Sequence, residues 1–136
     1  MKYHHKEYTP ENITELKENE IFVFGSNTQG RHGAGAAKIA LDKFGAIYGQ
    51  SSGLQGNSFG IITTDLTNTL TKHQLEKHII EGLIELSKIA KQTPDIKYYI
   101  TKIGSGLAGF TIERMKHLLW VSSNYPDNII LPKEFT

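Results

Sequence analysis

Four consecutive apolar residues, Ile21-Phe22-Val23-Phe24, run straight into Gly25. So short a run of β-branched and aromatic residues predicts a strand covered on both faces. The next stretch, Ala34 to Phe44, carries Ala36, Ala37, Ile39, Ala40 and Phe44 at helical spacing and is closed by Gly45, a C-terminal cap signal. Its small side chains suit close packing on a sheet. Tyr48 to Gly60, with glycines at 49, 53, 56 and 60, reads as an exposed loop, and Phe59 to Thr64 as the next strand. Thr71-Lys72-His73-Gln74 matches a capping box, and Leu75, Ile79, Leu83, Leu86 and Ala90 then form one apolar stripe to about Lys91, before Pro94. Tyr98 to Ile103 predicts a strand, Thr111 to about Ser123 a helix with Met115, Leu118, Leu119 and Trp120, and Asn128 to Leu131 a last strand. Strands alternating with helices imply an α/β fold with a mainly parallel sheet and helices on both faces.

Two glycine-rich turns follow strands and precede helices: Gly25 to Gly35, and Gly104 to Phe110. Glycine lets φ become positive and backbone N–H groups converge on a ligand, and a helix start adds unpaired N–H groups and a positive dipole end. Both turns fall beyond the carboxyl ends of strands, where open α/β sheets bind ligands. Together they suggest the two sides of an anion site, a diphosphate being a natural occupant.

Composition limits the alternatives. The 136 residues fit one domain, residues 1–9 being a flexible end or an edge strand, and 38% hydrophobic with 21% charged residues can bury a modest core. A net charge of +1 supplies no field for nucleic acid or an anionic membrane, so phosphate recognition has to be local. No cysteine is present, which excludes disulfides and thiolate metal sites. The N-terminal residues have no signal-like apolar stretch, and no run approaches about 18 apolar residues, so a cytoplasmic protein is expected. His73 and His78 are five apart and do not share a helix face, His4 and His5 lie at the N-terminus, and His117 stands alone, so no metal site is expected. Glu81 and Glu85 read as a solvated face.

A Walker A loop is absent, since Gly30 to Lys38 lacks Lys-Ser or Lys-Thr after its final glycine. Gly104-Ser105-Gly106-Leu107-Ala108-Gly109 approximates a dinucleotide fingerprint, but it comes late and no acidic residue follows about 20 positions on. The chain instead resembles the macrodomain family. The resemblance rests on Glu11-Asn12-Ile13-Thr14, Ile21 to Asn27, Gly33-Ala34-Gly35-Ala36-Ala37 and Ile103 to Phe110, and spans about Pro10 to Leu131. It is strongest to the compact branch typified by terminal ADP-ribose protein glycohydrolase, which shares an Arg-x-Gly-Ala-Gly first loop and an Ile-Gly-x-Gly-Leu second loop.

That resemblance implies a three-layer α/β/α sandwich that binds ADP-ribose or a related NAD-derived nucleotide, free or attached to a macromolecule. It puts Asn12, with the backbone of Ile13, where relatives carry an acidic residue that reads adenine; an Asn carbonyl also accepts a hydrogen bond. It puts Asn27 at the distal ribose, and the backbone N–H groups of Gly33, Ala34 and Gly35 at the diphosphate and distal ribose. Ser105, Gly106, Leu107, Ala108 and Gly109 grip the phosphates from the opposite side, and Phe110 packs against a ribose or, on the plainer reading, into the core.

Catalytic equipment departs from the branch. Its lysine and aspartate fall on Thr64 and Ala108, and a threonine cannot form a Schiff base. Three residues remain as candidates for chemistry. His32 is a proton-transfer group or a solvated loop histidine, Asp65 a base or a turn cap, and Lys102 a site residue or one on the far sheet face. The expected function is nucleotide binding without a cofactor. The alternatives are hydrolysis of ADP-ribosyl or ester bonds, with loop amides and His32, and nucleic-acid binding, which the scattered basic residues disfavour. A small free-standing protein of this kind suits a bacterial or phage setting.

Overall fold

The computed structural model describes residues 7–105, 108–122 and 124–136. In chain order the elements are β1 (Glu20–Asn27), α1 (Gly35–Lys43), β2 (Gly53–Gln55), β3 (Ser58–Thr64), α2 (Lys72–Gln92), β4 (Lys97–Ile100), α3 (Ile112–Ser122) and β5 (Ile129–Ile130), followed by a 3-10 turn, Lys133–Phe135. The sheet order is β2-β3-β1-β4-β5. β1 pairs in parallel with β3 and β4, β4 with β5, and only β2 runs antiparallel, against β3.

Strand β1 explains the layering. Its residues alternate faces with period two. Phe22 and Phe24 enter a cluster with Ala37, Ala40 and Phe44 of the α1 side, while Ile21 and Val23 join the larger core built with α2 and α3. The result is a three-layer α/β/α sandwich with α1 on one face and α2 and α3 on the other. Burial on both sides accounts for the unbroken apolar run. The Thr71 capping box forms as expected, Thr71 Oγ1 accepting from Gln74 N–H and Gln74 Oε1 from Thr71 N–H.

Three expectations need correction. The glycine-rich segment 48–60 is not wholly an exposed loop: β2 lies within it, and Gln55 is buried at 2% exposure. The two-residue Gly56-Asn57 connection between β2 and β3 is a hairpin signal that outweighs the loop-like composition. The strand expected at Tyr98–Ile103 stops at Ile100, because Ile103 N–H turns back to Thr101 O at 2.7 Å. Trp120 is 60% exposed and adds nothing to the core. At the sheet edge, Tyr8 bridges Leu131 in parallel and Thr9 N–H donates to Leu131 O at 2.9 Å, so the segment before β1 extends the sheet.

Asn128 acts as a staple. Its Nδ2 donates to the carbonyls of Ala90, Thr93 and Ile96 at 2.9, 3.1 and 2.9 Å, tying the end of α2 to the start of β5. Asn128→Ala removes this amide from three carbonyls, of which Ala90 O and Thr93 O keep the backbone donors Thr93 N–H and Ile96 N–H, and is expected to cost about 1–3 kcal/mol, read as a lower urea midpoint with unchanged m.

Candidate functional site

Beyond the carboxyl ends of β1, β3 and β4 the surface opens into two adjoining cavities of about 540 and 500 Å³. The first lies between the Asn27–Ala37 segment and Ile103, Gly104, Ser105 and Ala108, with Thr63 and Thr64 of β3 as its floor. The second lies between the segment Thr9–Thr14, Ile39 of α1 and the Pro132–Glu134 turn. Gly35, Ala36, Thr101, Lys102 and Ser105 line both and so form a neck between them.

The start of α1 faces this neck. Its N-cap, Ala34, has no side-chain acceptor to offer, and its first turn carries no acidic residue. The leading N–H groups are therefore left to solvent or to a ligand. Gly35 has φ +59°, and a Cβ there would meet nothing within 4 Å, so the backbone itself presents to open cleft. Across the neck, Gly104 has φ +78°, and a Cβ on it would come within 2.5 Å of Met115 Sδ in α3. Glycine is required there by both conformation and space. Phe110 N–H donates to Gly104 O at 2.9 Å and closes the second loop.

Several expected residues meet at the cleft. Gly33, Ala34, Gly35, Asn27, Ser105 and Ala108 line the first cavity, and Asn12 and Ile13 the second. Gly106 and Leu107 lie outside the described residues. Gly109 and Phe110 line neither cavity; Phe110 is 6% exposed within the main core, with Lys72 Nζ 5.7 Å from its ring centroid, which is the core reading. Asn27 lines the first cavity, but its side chain is committed to the loop: Oδ1 accepts from the N–H groups of Gln29 and Arg31, and Nδ2 donates to Arg31 O at 2.7 Å. It shapes the turn, just after a register shift in the β1–β3 ladder.

His32 is neither solvated nor at the cleft. It is 1% exposed, packs edge-on to Phe24 with ring centroids 5.1 Å apart, and lines neither cavity. Its Nε2 lies 3.1 Å from Gln55 Oε1, which also accepts from Ile47 N–H. That oxygen is an acceptor, so Nε2 carries the proton. His32 thus pins the first loop onto the β2 hairpin, a structural task that its sequence neighbours do not announce.

Asp65 is the turn cap. It accepts from the Thr28 and Thr67 hydroxyls and from the N–H groups of Thr67, Thr69 and Leu70. The Thr67 hydroxyl first, and the Leu70 N–H next, hold its carboxyl far below the ordinary carboxylate range, which makes it a poor base. Lys102 lies on the cleft, not on the far sheet face, and its ammonium is 2.5 Å from Glu134 and 3.6 Å from Glu11. Glu134 above all raises its pKa, so it is a cation throughout the neutral range. Arg31, the arginine of the Arg-x-Gly-Ala-Gly loop, also lines the first cavity, although the resemblance gave it no ligand role.

No protein-family model matches the chain, and no curated protein does. Among the described residues there is no group of three or more His, Asp or Glu that could hold a metal ion, and no helix long and apolar enough to cross a membrane. What the cleft offers is backbone amides, the Arg31 cation, the Lys102 ammonium paired with the carboxylates of Glu11 and Glu134, and two largely apolar compartments.

Proposed function

We propose that the cleft binds ADP-ribose or a related NAD-derived nucleotide, in the manner of the macrodomains that its loops resemble. The observation that carries this reading is the neck. A dinucleotide-like ligand has two bulky ends joined by a diphosphate, and the cleft has two compartments, each within the range of small-molecule sites, joined where α1 begins. Asn12 in the second compartment is suited to a nucleobase edge and the first compartment to the distal ribose. The cleft is open enough that the ribose could belong to an ADP-ribosylated macromolecule.

Recognition without cleavage is the reading favoured over hydrolysis. Thr64 and Ala108, at the positions where the resembling branch carries its lysine and aspartate, both line the first cavity and offer neither an amine nor a carboxylate. Of the three candidates for chemistry, His32 is buried behind the loop, Asp65 is committed to its turn, and Lys102 is held as an ammonium by Glu134. Incubated with a mono-ADP-ribosylated protein, the chain is expected to retain the label on its target over hours while ADP-ribose competes for the cleft. Release of ADP-ribose above the buffer rate would contradict the binding-only reading.

A further inference from the structure

The ion cluster beside the neck, on the side of the second compartment, brings together three distant parts of the chain. Lys102 follows β4, Glu134 belongs to the C-terminal turn, and Glu11 lies in the segment before β1. The two bonds to the ammonium are unequal. Glu134 Oε2 is at 2.5 Å, whereas Glu11 Oε1 is at 3.6 Å, beyond hydrogen-bond length, and the Glu11 side chain is 79% exposed. An exposed, loosely held ion pair contributes little and exchanges readily.

Of the residues shared by the two compartments, Lys102 is the charged one. The hydroxyls beside it are engaged by the backbone: Thr101 Oγ1 donates to Val23 O at 2.8 Å and Ser105 Oγ to Lys102 O at 2.6 Å. An anion in the neck therefore has the α1 amides on one side and, in Lys102, the one cationic side chain that lines both compartments. A carboxylate at Glu11 occupies the same cation and repels the same anion.

Resting on the nucleotide reading, we propose that Lys102 is the cation that receives the ligand's diphosphate, that Glu134 holds its ammonium at the neck, and that a phosphate oxygen displaces Glu11. Glu11 is then a competitor for the site, so removing its charge favours the ligand. The exchange breaks no covalent bond and needs no co-reactant.

The test is calorimetric titration of ADP-ribose, and of adenosine as a ligand without phosphate, into the wild-type chain and the variants Lys102→Met, Lys102→Arg and Glu11→Gln. Lys102→Met is expected to weaken ADP-ribose about tenfold or more, as loss of a charge-assisted hydrogen bond does, and Lys102→Arg to restore most of it. Glu11→Gln is expected to tighten ADP-ribose about two- to fivefold at low salt, with the gain fading as salt screens it. Adenosine binding should be the same in all four proteins. Wild-type binding of ADP-ribose with unchanged affinity in Lys102→Met, or weaker binding in Glu11→Gln, overturns this inference and leaves the nucleotide reading standing. A wild-type chain that takes no ADP-ribose overturns both. If Lys102→Met proves too unstable to titrate, the sign of the Glu11→Gln effect still decides.

Discussion

Ala36→Asp should weaken nucleotide binding about a hundredfold while leaving the protein at least as stable as the wild type. Ala36 is the second residue of α1, half-buried, and lines both compartments. A carboxylate in the first turn of a helix is favoured by the dipole and by the unpaired N–H groups, by about 0.3–1 kcal/mol. The same carboxylate takes the amides a diphosphate would use and repels it. Two unit charges 4 Å apart interact by about 4 kcal/mol at an effective dielectric of 20, so a loss on the order of a hundredfold in affinity remains after screening. Opposite signs in the melting temperature and the affinity separate this effect from misfolding. Ala36→Ser, of nearly the same size and uncharged, should bind close to normally. Equal affinity in Ala36→Asp would mean that the neck does not hold the anion.

Glu76→Ala should be the most damaging of the charge deletions. Glu76 on α2 is 7% exposed and receives Arg114 of α3 in two parallel bonds, Nε to Oε2 and Nη2 to Oε1, both at 2.6 Å. This pair joins the two helices on one face of the sheet. Breaking a buried ion pair costs about 3–5 kcal/mol, and because the Arg114 side chain is 43% exposed and can return to water, about 2 kcal/mol is expected here. The pH dependence follows from the direction of the shift. Arg114 holds the Glu76 carboxyl below its ordinary 4.5, against the opposing effect of burial. A lowered folded pKa means that the unfolded chain binds the proton first. The contribution is therefore complete above the unfolded value and is lost as pH falls from there through the folded one. Urea denaturation of wild type and Glu76→Ala should show a constant stability gap at neutral pH that narrows below about pH 4.5. A gap independent of acid would remove the ion pair as its cause.

The parts of the fold that were legible in the sequence are those set by local pattern. β1 was readable because both of its faces are covered, and α2 because a capping box and one apolar stripe agree. The glycine turns were readable as a cleft because they follow strands whose carboxyl ends the parallel order brings together. What escaped depends on residues far apart in the chain. Burial of His32 needs Gln55, 23 positions on, and Gln55 is buried only because a segment of loop-like composition forms β2. The Lys102 cluster needs Glu11 and Glu134 from opposite ends of the chain. Asn27 is the intermediate case: its bonds reach only two and four residues ahead, a turn pattern that could have marked it as a loop organiser.

We propose that one two-compartment cleft holds a nucleotide by its diphosphate. Calorimetric titration of the wild-type chain with ADP-ribose tests it most directly. A single saturable site is expected, with a raised melting temperature at saturating ligand because only the folded chain binds. Absence of both heat and thermal shift at about ten times the millimolar dissociation range, where binding free energies fall below about 4 kcal/mol, would contradict the account.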